Sequence, residues 1–389
     1  MLTKSKLLIA CGLLALTVMV GSPAVYAQIV YGQPTSGNIQ FSYNHWKAET
    51  DQGEETIDQL AFPISGFFPL KDNLDLSLYA IDASNTYDNT VNEYKLSGLG
   101  DVRLQLSQSF LNDRLLACLG VNLPTGKKEL DSEQGRVLLA LSQNYYEFPT
   151  RRLGEGFGLT MLVGGAVELK PGLRAGGGLS YQYAGKYTPY ESYSDSLDNI
   201  VSFEDYDPGD LFSANGGFDL ERGPMLWSLD LIFSQYLPDK LDDIKIFRQS
   251  RQFDWRFSGT YTGEGVQVFG SARYLWRGKN RLYNDLGEWD ATRKLYGNEF
   301  QLAGAVQFDL ATNWTVAPSL DLRLIAKTDV AESLEIGSAN VLGIGTIVGR
   351  QLGEQFAGNL GFKYYTGSAD GGGIDLSGYR ITFGITASM

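Results

Sequence analysis

The sequence has few of the residues on which catalysis, metal binding and disulfide frameworks depend. It contains one His and two Cys in 389 residues. So few of these residues disfavour a catalytic site based on His or Cys and a metal site with clustered His or Cys ligands. Proline is also scarce, with 12 residues, which excludes a disordered Gly/Pro-rich chain. Positive charge is in deficit, at a net charge of −13, which disfavours a broad nucleic-acid surface.

Long apolar runs are missing except at the N-terminus. Lys4 and Lys6 precede the apolar run Leu7–Val20, and Val25-Tyr26-Ala27 resembles a cleavage site. These features predict a signal peptide at 1–27 that is removed, followed by one domain at 28–389. The alternative is a lipoprotein signal at Cys11, which the few apolar residues before that cysteine disfavour. The run is too short to span a bilayer as a helix.

What the chain does contain is glycine, aromatics and alternation. There are 46 Gly, and aromatic residues make up 12% of the chain. In the last segment Tyr379, Ile381, Phe383 and Ile385 alternate with polar or small residues. A period of two over so many residues predicts strands, because successive side chains of a strand point to opposite faces.

The connections between these strands alternate in length. Seven short turns each join the two strands of a hairpin. Eight longer loops are expected at 48–55, 83–95, 125–155, 188–209, 238–246, 278–297, 328–337 and 367–375. Fifteen connections predict sixteen strands in an all-β, antiparallel, up-and-down transmembrane barrel with short periplasmic turns and long extracellular loops. Fourteen strands are the alternative, because segments 56–70 and 338–352 alternate least cleanly. A soluble sandwich or propeller is disfavoured by the long strands and by the lack of a blade repeat.

Two short motifs carry a family resemblance. Leu99-Gly100-Asp101 lies in a Gly-Leu-Gly-Asp strand, and Leu123-Pro124-Thr125-Gly126 closes the following hairpin. In these positions the chain resembles the outer-membrane barrel family named for the meta-pathway of phenol degradation, a distant relative of the long-chain fatty-acid channels. The resemblance implies a channel for small, often apolar molecules. The long N-terminal hatch of the fatty-acid channels has no counterpart before the first strand.

Alternation places many charges on the inner face of the barrel. One interpretation is a pathway that selects solutes by its local field, and the other is a salt-bridge lattice that fills the lumen. The near balance of eight acids and seven bases favours the lattice. For a selectivity role we favour Asp254, Arg256, Arg273, Asp321, Arg323 and Arg380. The full inward set adds Asp75, Asp101, Arg103, Arg174, Asp219, Asp230, Glu299, Asp309 and Lys363.

The longest predicted loop, 125–155, is too apolar at Val137–Leu141 to lie in water. It is predicted to be either a short helix that starts at Glu133, is capped by Ser132 and folds into the barrel mouth, or an extension of the strands. As a helix it would contact a lumen charge such as Arg256 or Arg323 and narrow the pore. The candidate constriction residues are Arg136, Leu138, Leu141, Tyr145, Tyr146 and Phe148.

These patterns predict an outer-membrane, porin-like channel of a Gram-negative bacterium for passive uptake of small organic solutes, including apolar or aromatic ones. The alternative is a non-conducting structural or surface-interaction barrel.

No enzyme, cofactor or metal site is predicted, and His45 is expected on the lipid face. Tyr and Trp near strand ends, Trp46 and Tyr79 among them, predict interfacial girdles. The expected partners are outer-membrane lipid, lipopolysaccharide, the solutes and the barrel-assembly machinery, but no nucleic acid. The acidic loop 191–210 is either solvated or a weak divalent site.

Overall fold

A computed structural model describes residues 34–51, 53–190, 193–194, 200–201, 205–284, 286–328 and 337–389. The predicted signal peptide and Cys11 lie outside the described residues, as does half of the acidic loop 191–210. The elements are β1 (Ser36–Thr50), β2 (Gly53–Lys71), β3 (Leu74–Asp88), β4 (Glu93–Leu99), β5 (Val102–Phe110), β6 (Leu115–Leu123), α1 (Ser132–Leu141), β7 (Gly158–Lys170), β8 (Leu173–Ala184), β9 (Tyr193–Ser194), β10 (Ile200–Val201), β11 (Leu211–Arg222), β12 (Met225–Tyr236), β13 (Asp239–Leu241), β14 (Ile244–Arg248), β15 (Gln252–Thr262), β16 (Val266–Arg277), β17 (Asn280–Tyr283), β18 (Trp289–Arg293), β19 (Glu299–Ala311), β20 (Trp314–Ile325), β21 (Ala339–Gln351), β22 (Phe356–Ala369), a 3-10 turn (Asp370–Gly372) and β23 (Ile374–Ser388).

The main sheet is antiparallel and closes on itself. β1 pairs with β2 on one side and with β23 on the other, where Phe41 lies opposite Phe383. β4 and β5 both pair with β3, so they are two halves of one interrupted barrel strand. The barrel therefore has the predicted sixteen strands. The two segments that alternate least cleanly are both present, as β2 and β21.

The connections differ in length between the two ends of the barrel. All seven short turns are found at one end, which we call the short-turn end. At the other, long-loop end, three of the eight predicted long loops are wrong, because only two residues separate β1 from β2, four separate β3 from β4 and four separate β22 from β23. At these three places the strands continue into polar sequence that was predicted to be loop, and polar side chains pair across neighbouring strands. Lys47, for example, forms an ion pair with Glu54 at 2.6 Å across β1 and β2.

The two faces of the sheet have opposite character. Large apolar side chains cover the outside, among them Ile39, Trp255 and Phe383. The inside carries buried polar groups such as Asn44 and Arg380. Because a closed sheet with an apolar outer band satisfies every backbone group in lipid, the chain is a transmembrane β-barrel of the outer-membrane type.

Two residues of the predicted girdle, Trp46 and Tyr79, face the interior of the barrel, and Tyr79 packs against its apolar cluster. Trp46 lies inside the barrel, fully buried, and stacks on Tyr365 with ring centroids 4.7 Å apart. Its neighbours Tyr43 and His45 point outward, as strand alternation requires, and the hydroxyl of Tyr43 donates to Asp58 at 2.6 Å. His45 lies on the outward face as predicted, with Nδ1 2.9 Å from the same carboxylate. Trp46 therefore belongs to the interior packing.

Two loops build a second small sheet beyond the barrel. β13 and β14 come from the loop after β12, and β17 and β18 come from the loop after β16. β14 pairs with β17, which joins the two loops. None of the helices in the described part of the chain combines the length and the apolar character needed to cross a membrane.

Candidate functional site

The connection between β6 and β7, residues 124–157, folds into the barrel, and we call it the inward segment. It contains α1, the predicted helix, which begins one residue earlier than expected. Asp131 rather than Ser132 is the N-cap: its Oδ1 accepts a hydrogen bond from the Gln134 amide at 2.8 Å. The Gln134 side chain accepts from the Asp131 amide in return, at 3.4 Å. This reciprocal capping box fixes where the helix starts.

The apolar face of the inward segment packs against one side of the inner wall. Val137 and Leu141 are almost fully buried, and Tyr146 contacts Trp46 with ring centroids 5.3 Å apart. The wall residues of this cluster come from β1 to β4 and from β20 to β23: Trp46, Ala48, Ile57, Ala61, Ile81, Ala83, Tyr94, Leu96, Ile325, Ala339, Val341, Tyr365, Ala369 and Leu376.

The burial of three aromatics corrects their expected role. Tyr145, Tyr146 and Phe148 belong to this cluster and are each less than 10% exposed. They hold the inward segment against the wall and do not line an open route. Arg136 is exposed and lies over the Tyr94 ring at 5.3 Å, while Leu138 packs against the cluster.

A single carboxylate ties the inward segment to the opposite end of the chain. Glu147 forms ion pairs with Arg323 and Arg380, and it accepts a hydrogen bond from the Tyr365 hydroxyl at 3.0 Å. Burial by itself raises the pKa of the Glu147 carboxyl. The positive charges of Arg323, Lys363 and Arg380 outweigh that effect and hold the pKa well below its usual range. The carboxylate is therefore charged at neutral pH.

Backbone atoms of the inward segment add to this attachment. The Arg323 guanidinium donates to the Asn144 carbonyl at 3.2 Å, and the Arg380 guanidinium donates to the Glu147 carbonyl. Arg380 also donates to the Asn44 side chain on the neighbouring strand. Two lumen arginines thus satisfy buried carbonyl groups that would otherwise lack partners.

Residues of the two short sequence motifs, Leu99–Asp101 and Leu123–Gly126, hold the base of the inward segment. Asp101, in the gap between β4 and β5, accepts hydrogen bonds from the amides of Gly126 at 2.8 Å and Glu155 at 2.7 Å, and from Asn122 at 2.9 Å. The Asp101 amide donates to the Leu153 carbonyl at 2.9 Å. Gly126 is required there, because a Cβ would lie 2.0 Å from that same carbonyl oxygen. The strand interruption therefore clamps both ends of the inward segment.

All six favoured lumen residues face inward, and each takes part in an ion pair. Asp254 forms ion pairs with Arg256 at 2.6 Å and with Arg273 at 2.8 Å. Asp321 pairs with Lys363, not with Arg323. Arg323 instead pairs with Glu147 and lies 3.6 Å from Glu299. The lumen therefore has three linked charge clusters along β15 to β23.

Sequence reasoning missed Glu147 as a site residue, although it predicted a contact between the segment and Arg323. Glu147 stands alone among aromatics in Asn-Tyr-Tyr-Glu-Phe. A lone acid in a segment that must be buried needs a cationic partner, and this signal was available. Arg277, which pairs with Glu299 at 3.2 Å, was also missed because it sits at the end of its strand.

Among the residues that the structure covers, no three His, Cys, Asp or Glu side chains are grouped so as to hold a metal ion.

Comparison with known proteins finds similarity in solved structures only. No family model matches the chain, and no curated protein matches it. The monoaromatic hydrocarbon channel CymD shares 12% identity at a TM-score of 0.46, covering 95% of this chain and 92% of that one. OprB of Pseudomonas putida shares 8% identity at a TM-score of 0.46, covering 92% and 94%.

The anion-selective porin of Comamonas acidovorans shares 11% identity at a TM-score of 0.42, covering 92% of this chain and all of that one. Similarities this distant assign neither a solute nor an activity. The barrel architecture of this chain is defined by its own strand pairing.

Proposed function

We propose that this chain is an outer-membrane channel through which small organic solutes, including apolar or aromatic ones, diffuse passively. The observation that carries the proposal is the one-sided packing of the inward segment. It covers the wall of β1 to β4 and β20 to β23. On the wall of β7 to β12 several mid-strand inward residues are uncharged and partly exposed, as at Gly164, Ser180 and Asn215. A barrel narrowed on one side and left accessible on the other suits a restricted pore.

The location and partners belong to the same proposal. The predicted signal peptide and the apolar outer band support export and insertion into the outer membrane. There the long-loop end would face lipopolysaccharide, and β23 would present its apolar outer side chains to the barrel-assembly machinery. The resemblance of the Asp101 and Gly126 motifs to the phenol meta-pathway family supports a small, often apolar solute. A passive channel needs no catalytic group.

The second candidate is a non-conducting barrel with a structural or surface-interaction role. Two observations favour it: the lumen charges pair with one another, and the loops after β12 and β16 build the outer sheet of β13, β14, β17 and β18. Such a sheet presents a folded surface outside the membrane.

Planar-bilayer recording on the purified, refolded protein separates the two candidates. A channel produces discrete, reproducible conductance steps, and its liposomes swell in small solutes at rates that fall with solute size. Protein that inserts, resists heat denaturation as a folded barrel and still gives neither current nor swelling would eliminate the channel and leave the structural role.

A further inference from the structure

The charged residues of the lumen are unevenly distributed along the barrel axis. At the level where the inward segment narrows the lumen, basic side chains outnumber acidic ones. We propose that this level makes the passage selective for small organic anions, with carboxylates as the preferred class. The proposal rests on the proposed channel function and adds the sign and chemistry of its solute.

Seven basic side chains share four carboxylates at this level. Asp254 is shared by Arg256 and Arg273, and Glu299 lies 3.2 Å from Arg277 and 3.6 Å from Arg323. The remaining carboxylates are Glu147, which is shared by Arg323 and Arg380, and Asp321, which pairs with Lys363. We call this set, with Arg151 of the inward segment, the basic belt: Arg151, Arg256, Arg273, Arg277, Arg323, Lys363 and Arg380.

Neighbouring charges do not cancel the excess. Asp230 lies opposite Arg256 in the strand register. Glu155 lies 3.8 Å from Arg103 and also interacts electrostatically with Arg152. When these two acids and two arginines are included together with Asp101, which lies beside Glu155, and Asp239, which interacts electrostatically with Arg152, basic groups outnumber acidic ones by one. A local positive excess is notable in a chain whose net charge is −13.

The balancing acids lie nearer the short-turn end. Asp75 is the second residue of β3, and Asp309 lies two residues before the end of β19. Asp219 lies near the end of β11 and accepts a hydrogen bond from Ser228. The near balance counted over the whole lumen therefore does not hold at the height of the basic belt. A permeating ion responds to the local field, because charges beyond about 10 Å are screened at ordinary salt concentrations.

Arg151 and Arg152 give the belt solvent-accessible groups. Both side chains are exposed, although the segment that carries them is inside the barrel. Partial desolvation, and next the positive charges of Arg323 and Arg277, lower the pKa of the Arg151 guanidinium. An arginine crowded by like charges gains stability when an anion arrives.

The chemistry of these groups favours carboxylates over simple anions. A guanidinium presents a planar fork of donors that matches the two oxygens of a carboxylate. Arg152 also interacts electrostatically with the hydroxyl groups of Tyr187, Tyr206 and Tyr296 from the outer loops. Several adjacent cations of this kind let an anion pass from one to the next without being trapped at a single site.

Reversal potentials measured in bilayers under a potassium chloride gradient test the sign of selectivity. The wild-type protein is expected to prefer chloride over potassium, and potassium benzoate in place of potassium chloride is expected to carry current. The double variant R151Q/R152Q should lower the anion-to-cation permeability ratio about five-fold or more, the factor that one unit charge at about 4 Å supplies in water-like surroundings.

Two matched variants separate charge from structure. R151K/R152K keeps both charges and should retain chloride preference, while losing part of the benzoate current because lysine lacks the planar fork. K95Q removes a cation from the outer surface, where Lys95 pairs with Glu93 at 2.6 Å, and should leave the ratio unchanged.

A conducting wild-type channel that is unselective or cation-selective would overturn the proposal and leave the channel function standing. Chloride selectivity without benzoate current would overturn the carboxylate class. Absence of any current would instead refute the proposed function itself.

Discussion

The hydroxyl of Tyr365, on the next-to-last barrel strand, donates a hydrogen bond to Glu147 of the inward segment at 3.0 Å. The two residues are 218 positions apart in the chain. Their contact joins three features: the stack of Tyr365 on Trp46, the ion pairs of Glu147, and the apolar packing of α1. The predictions below test how far these features depend on one another.

The first prediction concerns the Glu147 carboxylate. Glu147→Gln removes the charge that compensates Arg323 and Arg380, which then remain buried and partly unpaired. Breaking a buried pair in this way costs about 3 kcal/mol. Urea unfolding in lipid vesicles, followed by tryptophan fluorescence, measures the loss. Glu133→Gln, in the exposed first turn of α1, is the control and should change stability by less than about 1 kcal/mol.

The second prediction is a pH dependence with a definite sign. The pKa of Glu147 is lowered in the folded protein, so its stabilising contribution is fully present above the unfolded value of about 4.3 and is lost as the pH falls toward the folded value. Attachment of the inward segment should be constant from pH 7 to about 5 and weaken in stronger acid. Current fluctuations recorded from pH 7 to 3 report this. A Glu147→Gln channel that shows the same acid transition would assign it to another group.

The third prediction is that the inward segment limits the pore. Deleting Glu133–Tyr146 removes α1 and the aromatic anchor, and it should raise single-channel conductance and reduce discrimination between solutes. The barrel should still form, because its ladder is closed by β1 and β23 without this segment. Unchanged conductance in a correctly folded deletion variant would place the segment outside the conducting path.

The fourth prediction concerns the clamp at Asp101. Asp101→Asn places an amide group against the amides of Gly126 and Glu155, which lose charged acceptors, and should destabilise the segment by about 2 kcal/mol. Faster trypsin cleavage after Arg151 or Arg152 is the expected readout. Asp309→Asn, at an exposed lumen position, is the matched control and should leave the cleavage rate unchanged.

The fifth prediction tests the last strand. β23 pairs with β22 and β1 along its length, and Tyr379 and Phe383 point outward from it. Deleting Ile374–Ser388 leaves two open sheet edges, which lipid does not tolerate. The truncated protein should fail to reach a heat-resistant folded form in vesicles and in cells. Normal assembly of that variant would show that closure does not depend on β23.

Much of the barrel could be predicted because strand alternation is a local property. The period of two in Trp314 to Ile325 assigns each side chain to the lipid or to the lumen without knowledge of any partner strand. The three tight connections at the long-loop end could not be predicted from turn signals, because polar residues there are equally compatible with a loop and with an extended hairpin. Trp46 was misassigned because tryptophan is typical of the membrane interface. Strand alternation places Trp46 on the face of β1 opposite to that of Tyr43, which is the inward face.

The sequence by itself determined the closed sheet, the inward direction of the lumen charges, and the need to bury the apolar stretch at Val137–Leu141. The tertiary structure alone decided which charges meet. Arg323 pairs with Glu147 rather than with Asp321, and Asp101 holds both ends of the inward segment. Alternation specifies the face on which a side chain lies but not its height, which depends on the register between strands. Whether a carboxylate reaches a given arginine therefore depends on how the closed barrel is staggered and on how the segment packs within it.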